Sequence, residues 1–305
     1  MSNQILKTAI GNYGHTKRLK DKSISSDKFD MEHVEITPVP MIFRRMVRQL
    51  EFDVAEMALS TYICAKYYGK PFTALPIFLT RSFYHSGIVC HSKSGIEAPD
   101  QLAGKKIGVR SYTLTPGVWT RGILQTEYGL DLDSVTWVLS GDEHVLEYEV
   151  PHNVISSPND DLEKMLLSRE VDAVIGAGPI SSPDVVPLFQ NASELDAEWF
   201  RKTSIYPISH LLVVSDRKLK EDNELAADIY SLYKKAKDGY LEELKSKKRL
   251  SDEDVEVLHM QDLIGGDPLS YDLKEALHGL ETFMKFNVEQ QIVPSYFQPA
   301  DLFAL

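Results

Sequence analysis

Hydrophobic residues recur along the chain in short apolar runs that alternate with amphipathic stretches. Short runs bounded by turn residues predict strands, and apolar residues at helical spacing predict helices. The predicted strands span residues 5–10, 33–37, 52–59, 73–79, 87–91, 106–110, 134–139, 171–175 and 206–214. The predicted helices span residues 16–20, 42–50, 60–68, 116–128, 159–169, 223–247 and 272–291. Strands that alternate with helices form mostly parallel sheets with helices on both faces.

The alternation of strands and helices restarts at Gly104, which indicates that a second unit begins there. The final third of the chain has too few strands for a third sheet. We therefore predict two Rossmann-like α/β domains, with domain 1 formed by residues 1–103 and 206–305 and domain 2 inserted at 104–205. Ligands of open α/β sheets bind beyond the carboxyl ends of the strands. Two such sheets facing each other would place a ligand cleft between the domains.

The composition of the chain is consistent with two α/β domains and limits the kinds of partner that the protein is expected to bind. Its 305 residues are enough for two domains, and 43% of them are hydrophobic. The net charge of -12 argues against nucleic acid as a partner, because binding phosphates needs a basic surface. A small anionic ligand is compatible with that charge, since a few local arginines can dominate a site.

The amino terminus, residues 1–8, has neither the basic nor the apolar region of a secretory signal. No run of about 18 apolar residues exists to span a membrane. We therefore expect a cytoplasmic protein with no membrane partner. The sequence leaves open whether the protein is a homo-oligomer.

A polar turn at residues 111–115 separates a predicted strand from a predicted helix. Backbone N–H groups and the positive end of the helix dipole at such a turn favour an anion. An arginine ends the strand and another lies on the helix, and guanidinium groups bind carboxylates in bidentate geometry. The helix arginine could instead be a solvated surface residue. The candidate residues for carboxylate binding here are Arg110, Ser111, Tyr112, Thr113 and Arg121.

Domain 1 contributes a second group of candidate residues at predicted strand ends. A flexible turn follows the first strand, and two hydroxyl residues begin the helix after residue 59, where they could bind a ligand or simply cap the helix. An arginine in the loop after residue 79 could bind a second carboxylate or close the loop. The candidates are Asn12, Tyr13, Ser60, Thr61 and Arg81.

Two histidines are candidates for proton transfer. His210 lies in a strongly apolar strand, where an imidazole is costly unless it is hydrogen-bonded. It could equally be a core or hinge histidine whose hydrogen bonds are made within the protein. His85 lies in a loop close to Arg81, where ordinary surface placement is the alternative.

The sequence predicts no metal site and no cofactor. The nine histidines are scattered, without spacing typical of metal ligands, and the two cysteines, Cys64 and Cys90, have no zinc or disulfide-framework spacing. Gly176 and Gly178 form an isolated fragment followed by proline rather than a dinucleotide-binding fingerprint.

Several segments, in order over nearly the whole chain, resemble the 4,5-dihydroxyphthalate decarboxylase family, which is related in fold to the type II periplasmic binding proteins. The most specific are Trp-Thr-Arg-Gly at 119–122 and Tyr-Pro-Ile-Ser-His at 206–210. A Leu-Ala-Gly-Lys piece at 102–105 is less specific. The other matching segments are residues 56–62, 74–78, 81, 85–86, 127–129, 267–268 and 271.

The resemblance implies loss of CO2 from a hydroxylated aromatic carboxylate such as 4,5-dihydroxyphthalate, giving protocatechuate, without a cofactor. Arg110 and Arg81 would then hold carboxylates, and His210 or His85 would transfer the proton. Domain closure would exclude water from the reaction. The alternative hypothesis is a non-catalytic cytoplasmic binding protein for a small anionic ligand.

Overall fold

The computed structural model describes residues 4–304, and the elements named here lie within that stretch. The strands are β1 (Gln4–Ala9), β2 (Phe29–His33), β3 (Val54–Ala58), β4 (Phe72–Arg81), β5 (Ile88–His91), β6 (Lys106–Val109), β7 (Thr136–Leu139), β8 (Val154–Ser156), β9 (Ala173–Ile175), β10 (Val185–Pro187) and β11 (Ile208–Ser215). The α-helices are α1 (Lys17–Lys20), α2 (Pro40–Gln49), α3 (Leu59–Tyr67), α4 (Thr115–Tyr128), α5 (Leu162–Leu167), α6 (Ala192–Thr203), α7 (Asp216–Glu221), α8 (Leu225–Leu244), α9 (Asp252–Ile264) and α10 (Leu273–Glu289). Across the described residues, no helix combines the length and apolar character that crossing a bilayer requires.

The chain divides into two compact units, each with its own sheet. The first unit contains the chain up to Arg81, Ile208–His278 and the chain from Gln298 onward, and the second contains Ser82–Pro207 and Gly279–Phe297. The first crossover therefore lies at Arg81 rather than at the predicted Gly104. The reason is that β5 pairs with β9 and β10 of the second sheet, so the strand before Gly104 already belongs to the second unit.

The first unit is built on a five-stranded sheet with the strand order β2-β1-β3-β11-β4. β1, β2 and β3 are parallel, and β11 runs antiparallel to both β3 and β4. Apolar residues of these strands pack against one face of α8, because alternate strand positions point to the same side of a sheet. The shared core includes Leu6, Val54, Ile77, Leu212, Leu225, Ile229 and Tyr233.

The second unit is built on a six-stranded sheet with the strand order β10-β5-β9-β6-β7-β8. β9, β6, β7 and β8 are parallel, and β5 is antiparallel to β9. Residues of α5 cover one part of the sheet, where Met165 and Leu166 join Val138 and Val174 in a core cluster. α4 packs on the second half of α10 through the stacked rings of Trp119 and Phe283, whose centroids lie 4.6 Å apart.

Some predicted elements are wrong. The second strand spans β2 rather than residues 33–37, so the prediction began where the strand ends. Helices α6, α7 and α9 and the short strands β8 and β10 are not among the predicted elements. The two strands have only three residues each, too few to show a period of two. α9 does carry a sequence signal, because Ser251 and Asp254 form a capping box at its amino end.

Gly122 allows α4 and α10 to approach closely. A methyl group at this position would lie 2.2 Å from Cδ2 of Phe286, which is inside van der Waals contact. We expect Gly122→Ala to lower the free energy of unfolding by about 1–3 kcal/mol through overpacking. The matched control is Gly279→Ala on α10, where the methyl group would lie 3.4 Å from Ile205. Urea denaturation checks both, and equal stability of the two variants would contradict this packing argument.

Candidate active site

The strand ends of the first sheet bring most of the predicted residues of this unit to one edge. β1, β3 and β4 share one direction, so their carboxyl ends lie together, and the antiparallel β11 begins at that edge. Thus His210 pairs with Ala58 at the end of β3, and Ile208 pairs with Arg81 at the end of β4. Ser60 and Thr61 lie in the first turn of α3, which begins at Leu59 directly after β3, and Tyr13 lies in the loop after β1.

The polar contacts at this edge converge on the carboxylate of Glu56, in β3. The side chain is fully buried, with 0% exposure. Its Oε1 accepts from the Tyr13 hydroxyl and lies beside Nδ1 of His210, each at 2.6 Å, and its Oε2 accepts the backbone N–H of Gly11 at 2.6 Å. A buried carboxylate needs such donors, because an unpaired charge out of water is very costly.

The donors decide the ionisation state of Glu56. Burial alone would raise the pKa of this carboxyl group, but the hydrogen bonds from His210, Tyr13 and Gly11 outweigh it and hold the pKa below its ordinary value. Burial, together with the charge of Glu56, raises the pKa of Tyr13 well above its usual range. The site therefore contains a carboxylate and a protonated phenol at neutral pH.

The contact with Glu56 fixes the orientation of the His210 ring. An ionised carboxylate beside Nδ1 requires a proton on that nitrogen, which leaves Nε2 as the ring atom that Glu56 does not engage. Phe43 packs against the imidazole edge to face, with centroids 4.9 Å apart. The side chain is 22% exposed, so this histidine is neither a sealed core residue nor a free surface residue.

Tyr13 is held from its other side by His15. The two rings are stacked, with centroids 5.5 Å apart and planes 7° apart. Burial lowers the pKa of His15 to about 4, so this imidazole is neutral at physiological pH. It therefore supports the Tyr13 ring without adding a positive charge next to Glu56.

The other predicted residues of this unit have mixed outcomes. Asn12 is exposed and bonds to Glu35 and Lys20. Ser60 and Thr61 are buried in the first turn of α3, but the helix begins at Leu59 and Ala58 is its N-cap residue, so the predicted capping role is wrong. The half-buried guanidinium of Arg81 lies 5.0 Å from the Phe78 ring, and its Nη2 donates to the carbonyl of Ser270 at 3.2 Å.

In the second unit, the predicted polar turn already binds a carboxylate of the protein itself. Glu143, in the loop after β7, accepts the backbone N–H of Tyr112 at 2.5 Å and that of Thr113 at 3.2 Å. It also accepts the Thr113 hydroxyl at 2.5 Å. Ser111 is buried beside them, whereas Arg110, at the end of β6, is half-exposed. The donors of this turn are therefore occupied by a glutamate of the protein, and binding of a ligand carboxylate there stays a prediction.

Arg121 is not the solvated helix residue considered as an alternative, and it does not present its guanidinium to solvent. The side chain has 0% exposure. Its Nε donates to Oε1 of Gln290 at 2.8 Å, and its Nη2 donates to the carbonyl oxygen of Tyr112 at 2.6 Å. The guanidinium also lies 4.0 Å from the centroid of the Tyr112 ring. It braces the polar turn from within the unit.

His85 is buried, so the alternative of ordinary surface placement is wrong. Its Nδ1 lies 2.5 Å from Oδ1 of Asp196. The ring packs edge to face on Phe189 and Tyr128, the last residue of α4. The turn at residues 111–113 instead precedes the amino end of α4. The structure therefore does not pair His85 with that turn.

No cluster of three or more histidine, cysteine or acidic side chains suited to hold a metal ion occurs among residues 4–304.

Comparison with known proteins identifies the family of the chain. No family model matches it. A 4,5-dihydroxyphthalate decarboxylase from Pseudomonas putida is 34% identical over 213 residues, covering 65% of this chain and 82% of that protein. The chain belongs to the 4,5-dihydroxyphthalate decarboxylase family. A 4,5-dihydroxyphthalate decarboxylase from Comamonas testosteroni is 29% identical over 321 residues, covering 99% of this chain and 97% of that protein.

Solved structures of low identity share the fold of this member of the 4,5-dihydroxyphthalate decarboxylase family. The periplasmic aliphatic sulphonate binding protein from Escherichia coli is 12% identical, with a TM-score of 0.56 over 99% of this chain and 98% of that one. A desulfurization enzyme is 14% identical, with a TM-score of 0.57 over 99% of this chain and 96% of that one. These likenesses confirm the predicted α/β fold class. Because a binding protein and an enzyme both have it, the fold does not choose between the two functional hypotheses.

Three acidic residues of these sites are not among the predicted ones: Glu56, Glu143 and Asp196. Glu56 does carry a signal, because it is a charged residue inside the apolar run 52–59 and belongs to a segment that resembles the 4,5-dihydroxyphthalate decarboxylase family. Glu143 and Asp196 lie in polar segments, where nothing distinguishes them from surface acids.

Proposed function

We propose that the protein is a decarboxylase that removes one carboxylate from a hydroxylated aromatic acid such as 4,5-dihydroxyphthalate, giving protocatechuate. The observation that carries the proposal is the imidazole of His210, which the buried carboxylate of Glu56 holds at the carboxyl edge of a sheet. Membership of the 4,5-dihydroxyphthalate decarboxylase family supports the reaction class and the aromatic substrate.

The substrate itself supplies the electrons for this reaction. In 4,5-dihydroxyphthalate each carboxylate lies para to a hydroxyl group, which releases electron density to the ring carbon that bears the carboxylate. That carbon accepts a proton. The bond to the carboxylate then breaks, CO2 leaves, and the electron pair of the broken bond restores the aromatic ring. One proton is consumed for each CO2 released, and no organic electron sink is needed.

In the proposed reaction, His210 is the proton donor. The imidazolium transfers a proton from Nε2 to the ring carbon, and general acids of this kind contribute about 10²–10⁴-fold to rate. Glu56 is the positioning residue, because its contact with Nδ1 orients the ring and leaves Nε2 for the transfer. We favour His210 over His85 because the His85 ring is 3% exposed and packed between aromatic side chains.

Arg81 and Arg110 remain the candidates that hold the substrate carboxylates. Arg81 is the last residue of β4 and Arg110 directly follows β6, each at the carboxyl edge of its own sheet, and each side chain is half-exposed. A planar guanidinium pairs with a carboxylate through two parallel hydrogen bonds, which fixes the direction of the ring as well as its position. The predicted cleft between the domains stays a prediction.

Turnover of 4,5-dihydroxyphthalate tests the proposal. We expect the purified protein to release CO2 from 4,5-dihydroxyphthalate and to form protocatechuate. Phthalate, which lacks the activating hydroxyl groups, is the matched control and should bind without releasing CO2. In D2O the product should carry one deuterium at the carbon that lost the carboxylate, because the proton comes from exchangeable groups. Proton NMR of the product measures this.

The alternative is a protein that binds such anions without reaction. Calorimetric binding of 4,5-dihydroxyphthalate with no CO2 release, from this compound or from a panel of hydroxybenzoates, would favour that alternative and exclude the decarboxylase. Formation of protocatechuate without deuterium at the expected carbon would exclude the proton-transfer step while leaving the overall reaction in place.

A further inference from the structure

The turn at residues 111–113 is built as a receptor for a carboxylate. Two backbone N–H groups and one hydroxyl group, those of Tyr112 and Thr113, converge on the two oxygens of Glu143 at 2.5–3.2 Å. Charge-assisted hydrogen bonds of this kind are about twice as strong as neutral ones. The geometry of these donors fits any carboxylate that reaches the turn. The carboxylate bound there, that of Glu143, belongs to the loop after β7 rather than to a strand.

A buried positive charge makes the turn selective for an anion. The Arg121 guanidinium is fully buried, and its hydrogen bonds go to the neutral oxygens of Gln290 and Tyr112. Its Nη1 has no hydrogen-bond partner within the described part of the chain. Glu143 interacts electrostatically with this guanidinium. If Glu143 left the turn, the buried charge would favour another anion in its place, because uncompensated charge in the interior is costly.

Glu143 occupies the turn at a cost. Burial raises the pKa of its carboxyl group, although the hydrogen bonds from Thr113 and Tyr112 act in the opposite direction. A ligand carboxylate can present the same two oxygens to the same donors while Glu143 returns to water. Two carboxylates cannot share the donors, since like charges at contact distance repel. Occupancy by Glu143 and by a ligand is therefore mutually exclusive.

We propose that residues 111–113, backed by Arg121, form a carboxylate subsite and that Glu143 occupies it as an internal competitor until an aromatic carboxylate displaces it. The identity of the ligand rests on the proposed function. The exchange needs no covalent step, only rotation of the Glu143 side chain out of the turn. Glu143 thus sets the apparent affinity of the subsite, because only the molecules whose turn is open can bind the ligand.

Binding of phthalate, which does not react, tests the exchange in the 305-residue chain. We expect Glu143→Ala to bind phthalate about tenfold more tightly by calorimetry than the unchanged protein, since the competitor is gone. Thr113→Val removes one donor with little change of shape. It should weaken binding severalfold in the Glu143→Ala background but less in the unchanged protein, where the donor also holds the competitor. The four proteins form a double-mutant cycle.

Weaker or unchanged phthalate binding by a folded Glu143→Ala variant would overturn the proposal and make Glu143 a brace of the turn. If that variant does not fold, Glu143→Gln replaces it. The glutamine amide opposes at least one N–H donor with its own NH2 group, so the same increase in affinity is expected. An equal effect of Thr113→Val in both backgrounds would also overturn the exchange.

The outcomes separate this proposal from the proposed function. Tighter phthalate binding by Glu143→Ala, without CO2 release from any hydroxylated acid by the unchanged protein, would keep the subsite and exclude the decarboxylase. CO2 release from 4,5-dihydroxyphthalate, without any gain in phthalate affinity, would keep the decarboxylase and exclude the exchange.

Discussion

Replacing His210 by alanine is expected to lower kcat for CO2 release by about 10²–10⁴-fold, the contribution of a positioned general acid. Phthalate affinity should change by less than about threefold, because the proposed proton transfer happens only in the transition state and adds little to ground-state binding. Calorimetry for binding and CO2 release for kcat measure the two effects separately. The split between them is the signature of a proton donor.

The matched control for this variant is His259→Ala. His259 is exposed on α9 of the same unit, so its replacement removes an imidazole without touching Glu56. We expect kcat within about twofold of the unchanged protein, as for surface substitutions in general. Equal kcat for His210→Ala and the unchanged protein would remove His210 from the mechanism and leave His85 as the candidate proton donor.

Much of the fold could be predicted because its information is local. β3, β4, β6 and β11 are apolar runs whose burial shows directly in their composition. The boundary between the units could not be predicted in this way. β5 is as apolar as its neighbours, and only its pairing with β9 assigns it to the second sheet. Pairing between distant strands leaves no mark in local periodicity.

The residues of the candidate site are likewise only partly predictable from local sequence. The sequence identifies His210 as a candidate for proton transfer, because an imidazole in an apolar strand needs a hydrogen-bond partner. In the structure that partner is Glu56, which lies 154 positions away in the chain. The turn at residues 111–113 was predicted to bind a carboxylate, but not that a glutamate of the protein would fill it. The burial of Arg121 could not be predicted from residue type alone, because a buried guanidinium and a solvated one look the same in sequence.

Replacing Glu56 by glutamine is expected to lower kcat by about a hundredfold or more, although the side chain does not touch the proposed substrate. Three donors converge on the two carboxylate oxygens, and an amide offers only one oxygen. If that oxygen faces Gly11, the NH2 group faces Nδ1 of His210 and requires the proton on Nε2 instead. If it faces His210, the N–H of Gly11 opposes another N–H group.

Tyr13→Phe is the control for this argument. It removes one donor to Glu56 and leaves the contact with Nδ1 of His210 in place, so kcat should fall by about tenfold or less, the value of one hydrogen bond of about 1 kcal/mol. A larger loss for Tyr13→Phe than for Glu56→Gln would contradict the role of Glu56 as the residue that positions His210. That result would assign the positioning role to Tyr13 instead.

The stability of the Glu56→Gln variant gives an independent test that needs no substrate. Because the pKa of Glu56 is lower in the folded protein than its ordinary value, its stabilisation is fully present above the ordinary carboxyl pKa and is lost as pH falls through the folded pKa. Glutamine does not titrate. The difference in free energy of unfolding between the unchanged protein and Glu56→Gln should therefore be largest near neutral pH and shrink on acidification. Urea denaturation at a series of pH values measures it, and a difference independent of pH would mean that the buried carboxylate is not held ionised by its donors.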